Sequence, residues 1–237
     1  MIVYWTPFCD YKDGNIQTPE NLILFGEPEF VYKNIVENRV VSQSSYYNCP
    51  AFVDICKNTF IIKCPYDLEM KYDYDSNYLM VNVDEDVIDS YCINRNLKTG
   101  FDEYPKIFTL LPRYIFYSKE DIIIETMPCF LQNHDKGFDL IPGRFNINKW
   151  IRPIDFTFEL HKNIEKLKFK AGDPLFYIRF ITPHGEKVEL ERTDMSYELF
   201  KISISSTKIK NRLSNTSLKT LYKMADSFVK LFLKKQN

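Results

Sequence analysis

Three histidines limit the metal chemistry that this sequence of 237 residues can support: His134, His161 and His184. His184 and Glu186 have the spacing of the first half of the His-x-carboxylate facial triad that holds iron in non-haem oxygenases. That triad needs a second histidine further along the chain, and none follows residue 184. For a metal-dependent enzyme using iron or zinc, we would expect the ligands to be His184, Glu186 and His161.

The spacings typical of other catalytic and metal sites are not found. Cys49, Cys56 and Cys64 are too far apart along the chain for the short chelating loop of a zinc knuckle. The seven glycines are all isolated, so the sequence has neither a glycine-rich phosphate loop nor a nucleophile elbow. Catalysis by a pair of carboxylates is not excluded, but the sequence has 32 acidic residues and no pattern identifies which two would form the pair. We therefore expect no cofactor and favour a protein without enzymatic activity.

The segment Pro142–Pro153 combines one of the two tryptophans, Trp150, with the cations Arg144, Lys149 and Arg152. Tryptophan beside arginine is typical of binding hot spots, and of platforms on which single-stranded nucleic acid stacks. These four residues are our candidate binding site. In the alternative, structural interpretation, Trp150 closes the end of a β-sandwich while Arg152 pairs with an acidic residue of a strand.

Charge is balanced over the whole chain and unbalanced locally. The formal net charge is −1, but residues 208–237 hold eight Lys and Arg against Asp226 alone, which is +7 and leaves −8 for the rest. Residues 67–89 hold eight acidic residues against Lys71. A basic amphipathic segment can bind an anionic surface, or it can pack on its own domain and dock electrostatically onto the acidic segment.

Short strands are the elements that must position these residues. Apolar and polar side chains alternate through residues 153–192, which predicts half-buried strands. Turn sequences at residues 171–174 and 183–186 would join these strands into an antiparallel meander. The basic segment of residues 207–235 is predicted to pack on the domain as a helix, with an apolar stripe from Leu218 to Phe232 and with Thr216 or Ser217 as the N-cap of that stripe. Residues 194–206 fit another helix that begins after Asp194, but the alternation of Ile202 and Ile204 fits a strand equally well.

We therefore predict an α+β, β-rich fold: an antiparallel two-layer β-sandwich, similar to a jelly roll, with a C-terminal amphipathic helix. The aromatic content of 16% agrees with this, since aromatic side chains favour strands. We expect a single domain over residues 1–237, with a weak boundary near residues 94–105.

The sequence contains no recognisable targeting or membrane-spanning segment. Its first residues lack a basic region followed by a long apolar stretch, and no run approaches the ~18 apolar residues that cross a bilayer. The six cysteines are not closely paired, and we expect free thiols in a reducing compartment. The expected location is therefore cytoplasmic, without secretion and without a membrane span.

Three stretches of the chain resemble the landmarks of a protein family. They are Cys49–Phe52, then Pro142-Gly143-Arg144-Phe145 through Trp150-Ile151-Arg152-Pro153, and Gly172–Phe176. The family is an uncharacterised one of marine tailed phages, especially those of cyanobacteria, with scattered bacterial relatives. The resemblance implies a phage or marine microbial origin, and a location in the host cytoplasm if the protein is phage-encoded. It implies no activity and assigns no functional residues.

These observations favour a non-enzymatic binding or assembly protein, with an unknown protein partner or self-association. A metal-dependent enzyme with non-haem iron or zinc on a jelly-roll scaffold is the first alternative. The second alternative is single-stranded nucleic-acid binding through Trp150 and the basic C-terminal segment, where phosphate contacts would make the affinity fall with salt.

Overall fold

The computed structural model describes residues 1–12, 15–17, 26–33, 46–65, 67–73, 78–81, 92–93, 106–110, 113–131, 137–161, 164–212 and 215–235. The expected domain boundary at residues 94–105 lies outside these ranges. The strands are β1 (Ile2–Pro7), β2 (Asp10–Lys12), β3 (Asn15–Gln17), β4 (Glu29–Phe30), β5 (Thr59–Lys63), β6 (Leu68–Asp73), β7 (Tyr78–Val81), β8 (Cys92–Ile93), β9 (Lys106–Leu110), β10 (Tyr114–Tyr117), β11 (Ile123–Met127), β12 (Phe138–Leu140), β13 (Arg144–Asn146), β14 (Phe156–Leu160), β15 (Lys166–Phe169), β16 (Pro174–Ile181) and β17 (Glu189–Arg192). The helices that concern the site are α1 (Pro50–Cys56), α2 (Tyr197–Arg212) and α3 (Leu218–Lys235).

The strands form several mostly antiparallel sheets. The largest has the order β13-β11-β16-β5-β4, and a four-stranded sheet has the order β12-β14-β9-β8. Two three-stranded sheets, β10-β1-β17 and β15-β6-β7, and the hairpin β2-β3 complete the described topology. The pairing of β1 with β17 is parallel, unlike the antiparallel pairings around it. The predicted α+β, β-rich class is confirmed, with a sandwich-like arrangement of antiparallel sheets and helices near the C-terminus.

Alternating side chains explain the strands that the sequence predicted best. In β14, Phe156, Phe158 and Leu160 are buried while Thr157 and Glu159 are partly exposed. The strand pairs with β9 on one side and β12 on the other. Its apolar face therefore enters the core and its polar face stays near solvent, as period-two patterning requires.

One large apolar core connects the sheets and the two helices. Aromatic side chains dominate it, and the stacked rings of Phe156 and Phe176 have centroids 5.3 Å apart. Leu199 and Ile202 of α2 and Val229 and Phe232 of α3 enter the same core. The helices are thus fixed to the body by burial of their apolar sides, which is the main stabilising term available to a surface helix.

The C-terminal segment forms two helices where the sequence predicted one. Residues 207–212 are the end of α2, and α3 begins only at Leu218. The hydroxyl of Ser217 accepts a hydrogen bond from the amide of Thr220 at 3.3 Å, so the predicted N-cap is present. In the described part of the chain, no helix is both long enough and apolar enough to cross a membrane.

Candidate functional site

Trp150 lies in the core of the protein. It ends the turn after β13, where its amide donates to the carbonyl of Asn146 at 3.0 Å. Its side chain is only 3% exposed and contacts the rings of Phe145 and Tyr222 edge-on, with centroids 5.5 Å and 6.4 Å away. The apolar indole is enclosed between β13 and α3, as the structural interpretation of Trp150 requires, and a binding role for this ring stays a prediction.

Arg152 is also part of this buried cluster. Its guanidinium lies over the rings of Phe145 and Trp150, 4.9 Å and 5.0 Å from their centroids. It donates to the carboxylate of Asp155 at 2.9 Å and to the carbonyl of Pro153 at 2.8 Å. This is the arrangement of the alternative interpretation, in which Trp150 packs in the body and Arg152 pairs with an acid.

Asp155 joins this cluster to α2. Its carboxylate accepts a second charged hydrogen bond, from Lys210 at 2.6 Å. Burial of Asp155 opposes its ionisation, but the charges of Arg152 and Lys210 outweigh burial and hold the pKa of this carboxyl below its usual range. One carboxylate is thus shared by two cations, Arg152 and Lys210, whose side chains are 12% and 30% exposed.

Arg144 and Lys149 remain accessible at the edge of the same region. Arg144 is exposed on β13 and forms no ion pair with any described residue. Lys149 pairs with Asp121 at 3.1 Å, and both side chains are substantially exposed. The four candidate residues thus divide into a buried pair and a surface pair, and a binding role for the surface pair stays a prediction.

Tyr222 connects this surface pair to α3. The amide of Asn146 donates to the phenol oxygen of Tyr222 at 2.8 Å, which places the second turn of α3 against β13. Burial raises the pKa of Tyr222, while the nearby charges of Lys149 and Arg144 act against this rise. The two surface cations therefore border α3.

The helices α2 and α3 form a strongly basic layer on the body. Lys235 near the end of α3 donates to Glu198 near the start of α2 at 2.7 Å, so the two helices run antiparallel. Residues 197–235 contain nine Lys and Arg against two acidic residues, a net charge of +7. Apart from Lys210, these cations are exposed. We call the exposed set the basic helical surface: Lys201, Lys208, Arg212, Lys219, Lys223, Lys230, Lys234 and Lys235.

Few of these charges are neutralised within the protein. Both carboxylates of the layer are used, Glu198 by Lys235 and Asp226 by Lys230 at 2.9 Å. The other six cations form no ion pair with any residue that the structure describes. Sequence reasoning missed the contribution of α2, because the alternation of Ile202 and Ile204 suggested a strand there as readily as a helix.

In the described part of the acidic segment, residues 67–89, Asp67 and Glu69 contact residues outside the basic helices. Glu69 on β6 pairs with Lys166 and with Lys168 (3.1 Å to the latter), both on the neighbouring strand β15. Asp67 accepts a hydrogen bond from the amide of Ala171 at 2.8 Å. Residues 82–89 lie outside the described ranges. Glu69 and Asp67 therefore bind residues of β15 and of the turn that follows it.

The histidines considered as metal ligands occupy separate polar contacts. The amide of His184 donates to the carboxylate of Glu186 at 3.0 Å within one exposed turn. The imidazole of His161 lies 3.0 Å from the carboxylate of Asp139. Across the described ranges, no three His, Cys, Asp or Glu side chains come together as a metal site. His134 lies outside those ranges.

A cavity of about 520 Å³ opens between β4 and β17, away from the candidate residues. Phe30, Phe60, Val188 and Leu190 contribute its apolar surface, and charged residues of both signs line the rest. Its volume is in the range of small-molecule sites. Since none of the candidate binding or metal residues lines it, the cavity adds no chemistry to either hypothesis.

Comparison with known proteins identifies no relative of this chain. No family profile, no curated protein and no solved structure matches the chain. The resemblance to the phage family and the similarity to a jelly roll therefore stay predictions.

Proposed function

We propose that this is a non-enzymatic binding or assembly protein that contacts an anionic partner through the basic helical surface, with Arg144 and Lys149 at its border. The observation that carries the proposal is the set of eight exposed cations on α2 and α3, six of which form no ion pair with any described residue. Like charges held close together repel one another and contribute nothing to folding. An anionic partner would turn this mutual repulsion into attraction.

The arrangement of the other candidate residues supports this choice over the alternatives. Stacking on single-stranded nucleic acid needs an exposed aromatic face, and Trp150 is enclosed. Metal chemistry with His184, Glu186 and His161 needs these side chains to converge, and they occupy separate contacts. Elemental analysis of the purified protein tests the enzyme alternative, since a stoichiometric content of iron or zinc would favour it.

The family resemblance fits an assembly role in a phage or marine microbe, acting in the cytoplasm of the producing cell. The origin, the location and the jelly-roll likeness are part of this proposal.

Retention on immobilised heparin, a sulfated polyanion, tests the binding surface. We expect the native protein to be retained, and the double variant Lys219→Glu/Lys223→Glu to elute at a clearly lower salt concentration, because charged contacts weaken with salt. The control is Lys170→Glu/Lys187→Glu, which changes the net charge equally at two exposed positions outside α2 and α3, although Lys187 also loses its 3.6 Å ion pair with Glu189. The proposal fails if both variants shift the elution by the same amount.

A further inference from the structure

We propose that the basic helical surface docks onto an anionic lipid membrane surface without crossing it. This inference rests on the proposed function and names its partner. Its basis is that exposed apolar side chains accompany the lysines on the same outward surface. Leu231 and Met224 of α3 are 60% and 48% exposed, and Tyr197 of α2 is 44% exposed.

The helical period divides α3 into three stripes. Leu221, Ala225, Val229 and Phe232 are buried against the body. Lys219, Lys223, Lys230 and Lys234 recur at spacings that place them on one side of the outward surface. Met224 and Leu231, seven residues apart, lie on the other side of that surface. At about 1.5 Å per residue, the lysine stripe from Lys219 to Lys234 extends about 22 Å along α3, and Met224 and Leu231 lie about 10 Å apart beside it.

The helix α2 widens this surface. Lys201, Lys208 and Arg212 occupy its exposed side, while Leu199 and Ile202 are buried on the opposite side. Tyr197 is exposed at its first turn, beneath the ammonium of Lys201 at 4.1 Å from the ring centroid. Packed helices lie about 8–10 Å apart. Two such helices present a broad basic surface that matches an extended flat partner.

The residue types favour a lipid surface over a protein surface. Lysine is depleted in protein–protein interfaces, yet eight cations on this surface include seven lysines. Helices that lie in the membrane interface are rich in Lys and Arg and insert Leu and aromatic side chains at the boundary of headgroups and acyl chains. Tyrosine is also enriched at that boundary. Anionic headgroups would complement the charge of the layer.

A nucleic acid would use the lysines of this surface but not its apolar side chains. Its phosphates would pair with the lysines, but the phosphate backbone has no apolar surface for Leu231 and Met224. The insertion of these two side chains is therefore what separates a membrane from a soluble polyanion. The closing experiment consequently changes the charge and the apolar contact separately.

Cosedimentation with vesicles tests the inference. Native protein should bind vesicles of phosphatidylcholine that contain phosphatidylserine and should not bind vesicles of phosphatidylcholine alone. Lys219→Glu/Lys223→Glu should lower the partition coefficient at least about tenfold, since each basic residue near an anionic surface contributes to binding. Lys170→Glu/Lys187→Glu should bind like the native protein.

The apolar contact is tested with Leu231→Ser on the same anionic vesicles. We expect a loss of about tenfold, because burial of a leucine is a large term in transfer from water. The control is Ile55→Ser, which removes a 41% exposed apolar side chain from α1, outside the basic helical surface. Circular dichroism checks that each variant is folded.

Three outcomes would overturn the membrane inference: no binding to anionic vesicles, equal binding to neutral ones, or unchanged binding by Leu231→Ser. Unchanged binding by Leu231→Ser would mean that the surface responds to charge alone, as a nucleic acid or another soluble polyanion would require. If retention on heparin still depends on Lys219 and Lys223, the proposed binding function survives the failure of this inference. If that dependence is lost too, both fail.

Discussion

Two cation-containing regions of this protein have opposite surroundings. In the buried cluster, Arg152 and Lys210 both pair with Asp155, and the guanidinium of Arg152 lies over the ring of Trp150. On the basic helical surface, lysines such as Lys219 and Lys223 extend into solvent without a described partner. The ion pairs of the first region join the segment before β14 to α2, and the second region has no evident part in folding. The comparison shows that a cation beside an aromatic ring indicates binding only when the ring is accessible.

The difference follows from the cost of burying charge. A cation enclosed by protein must be paired or it destabilises the fold, so Arg152 is accompanied by a carboxylate. A cation in water needs no partner and loses little when unpaired. Variants in the first region should therefore change stability, and variants in the second should change association. The predictions below test this separation.

The largest effect is expected for Trp150→Ala. Removal of a buried tryptophan leaves a cavity between β13 and α3, and the free energy of unfolding should fall by about 4 kcal/mol. Urea denaturation followed by far-UV circular dichroism measures this change. Arg144→Ala, at an exposed neighbour, is the control and should change stability by less than about 0.5 kcal/mol. A small effect of Trp150→Ala would mean that the ring is accessible, as the binding interpretation required.

Asp155→Asn should be nearly as damaging. The amide keeps the shape of the side chain but removes the negative charge that Arg152 and Lys210 share, where their side chains are only 12% and 30% exposed. Breaking a buried ion pair in this way costs about 3 kcal/mol. The same denaturation assay measures the loss. Asp226→Asn, which removes the partner of Lys230 on the exposed side of α3, should be almost neutral; equal losses would contradict the distinction between the two regions.

The contribution of Asp155 should also depend on pH. Its pKa in the folded protein lies below the ordinary value of 3.8, so the ionised carboxylate stabilises the fold at pH values above 3.8. This stabilisation is lost as the pH falls from about 3.8 through the lower folded-state pKa. The difference in unfolding free energy between native protein and Asp155→Asn should shrink over that acidic range. A difference that stays constant to the lowest accessible pH would exclude this linkage.

The smallest effect is expected for Tyr222→Phe, at the border between the two regions. The change removes only the oxygen that accepts the hydrogen bond from the amide of Asn146, and it should cost about 1 kcal/mol. Thermal or urea denaturation detects a change of this size. Retention on heparin should stay unchanged, because no charge is altered. A loss of retention would show that the position of α3 against β13 shapes the anionic contact.

Much of the β-rich class was predictable because alternation is a local signal. In β14, the order of apolar and polar residues alone determined which side chains face the core. The N-cap at Ser217 and the helical stripe that follows were predictable for the same reason. The helix α2 was ambiguous, since residues 194–206 fit both a helical and a strand pattern. Its contribution to the basic helical surface was therefore missed.

The division of the candidate site could not be predicted from the sequence. Arg144, Lys149, Trp150 and Arg152 lie within nine consecutive residues, and nothing local distinguishes the buried pair from the exposed pair. The distinction depends on Tyr222 and Lys210, which come from helices more than 50 residues further along the chain.

The sequence by itself determined the strand pattern, the amphipathic C-terminal helix and the concentration of positive charge near the C-terminus, since these depend on the order and composition of neighbouring residues. Only the tertiary structure decided which cations are neutralised, because a charge is paired or exposed according to what distant segments bring beside it. Packing of α2 and α3 on the body buries Trp150 and brings Lys210 to Asp155. The same packing turns the remaining lysines outward to form the surface on which we place binding.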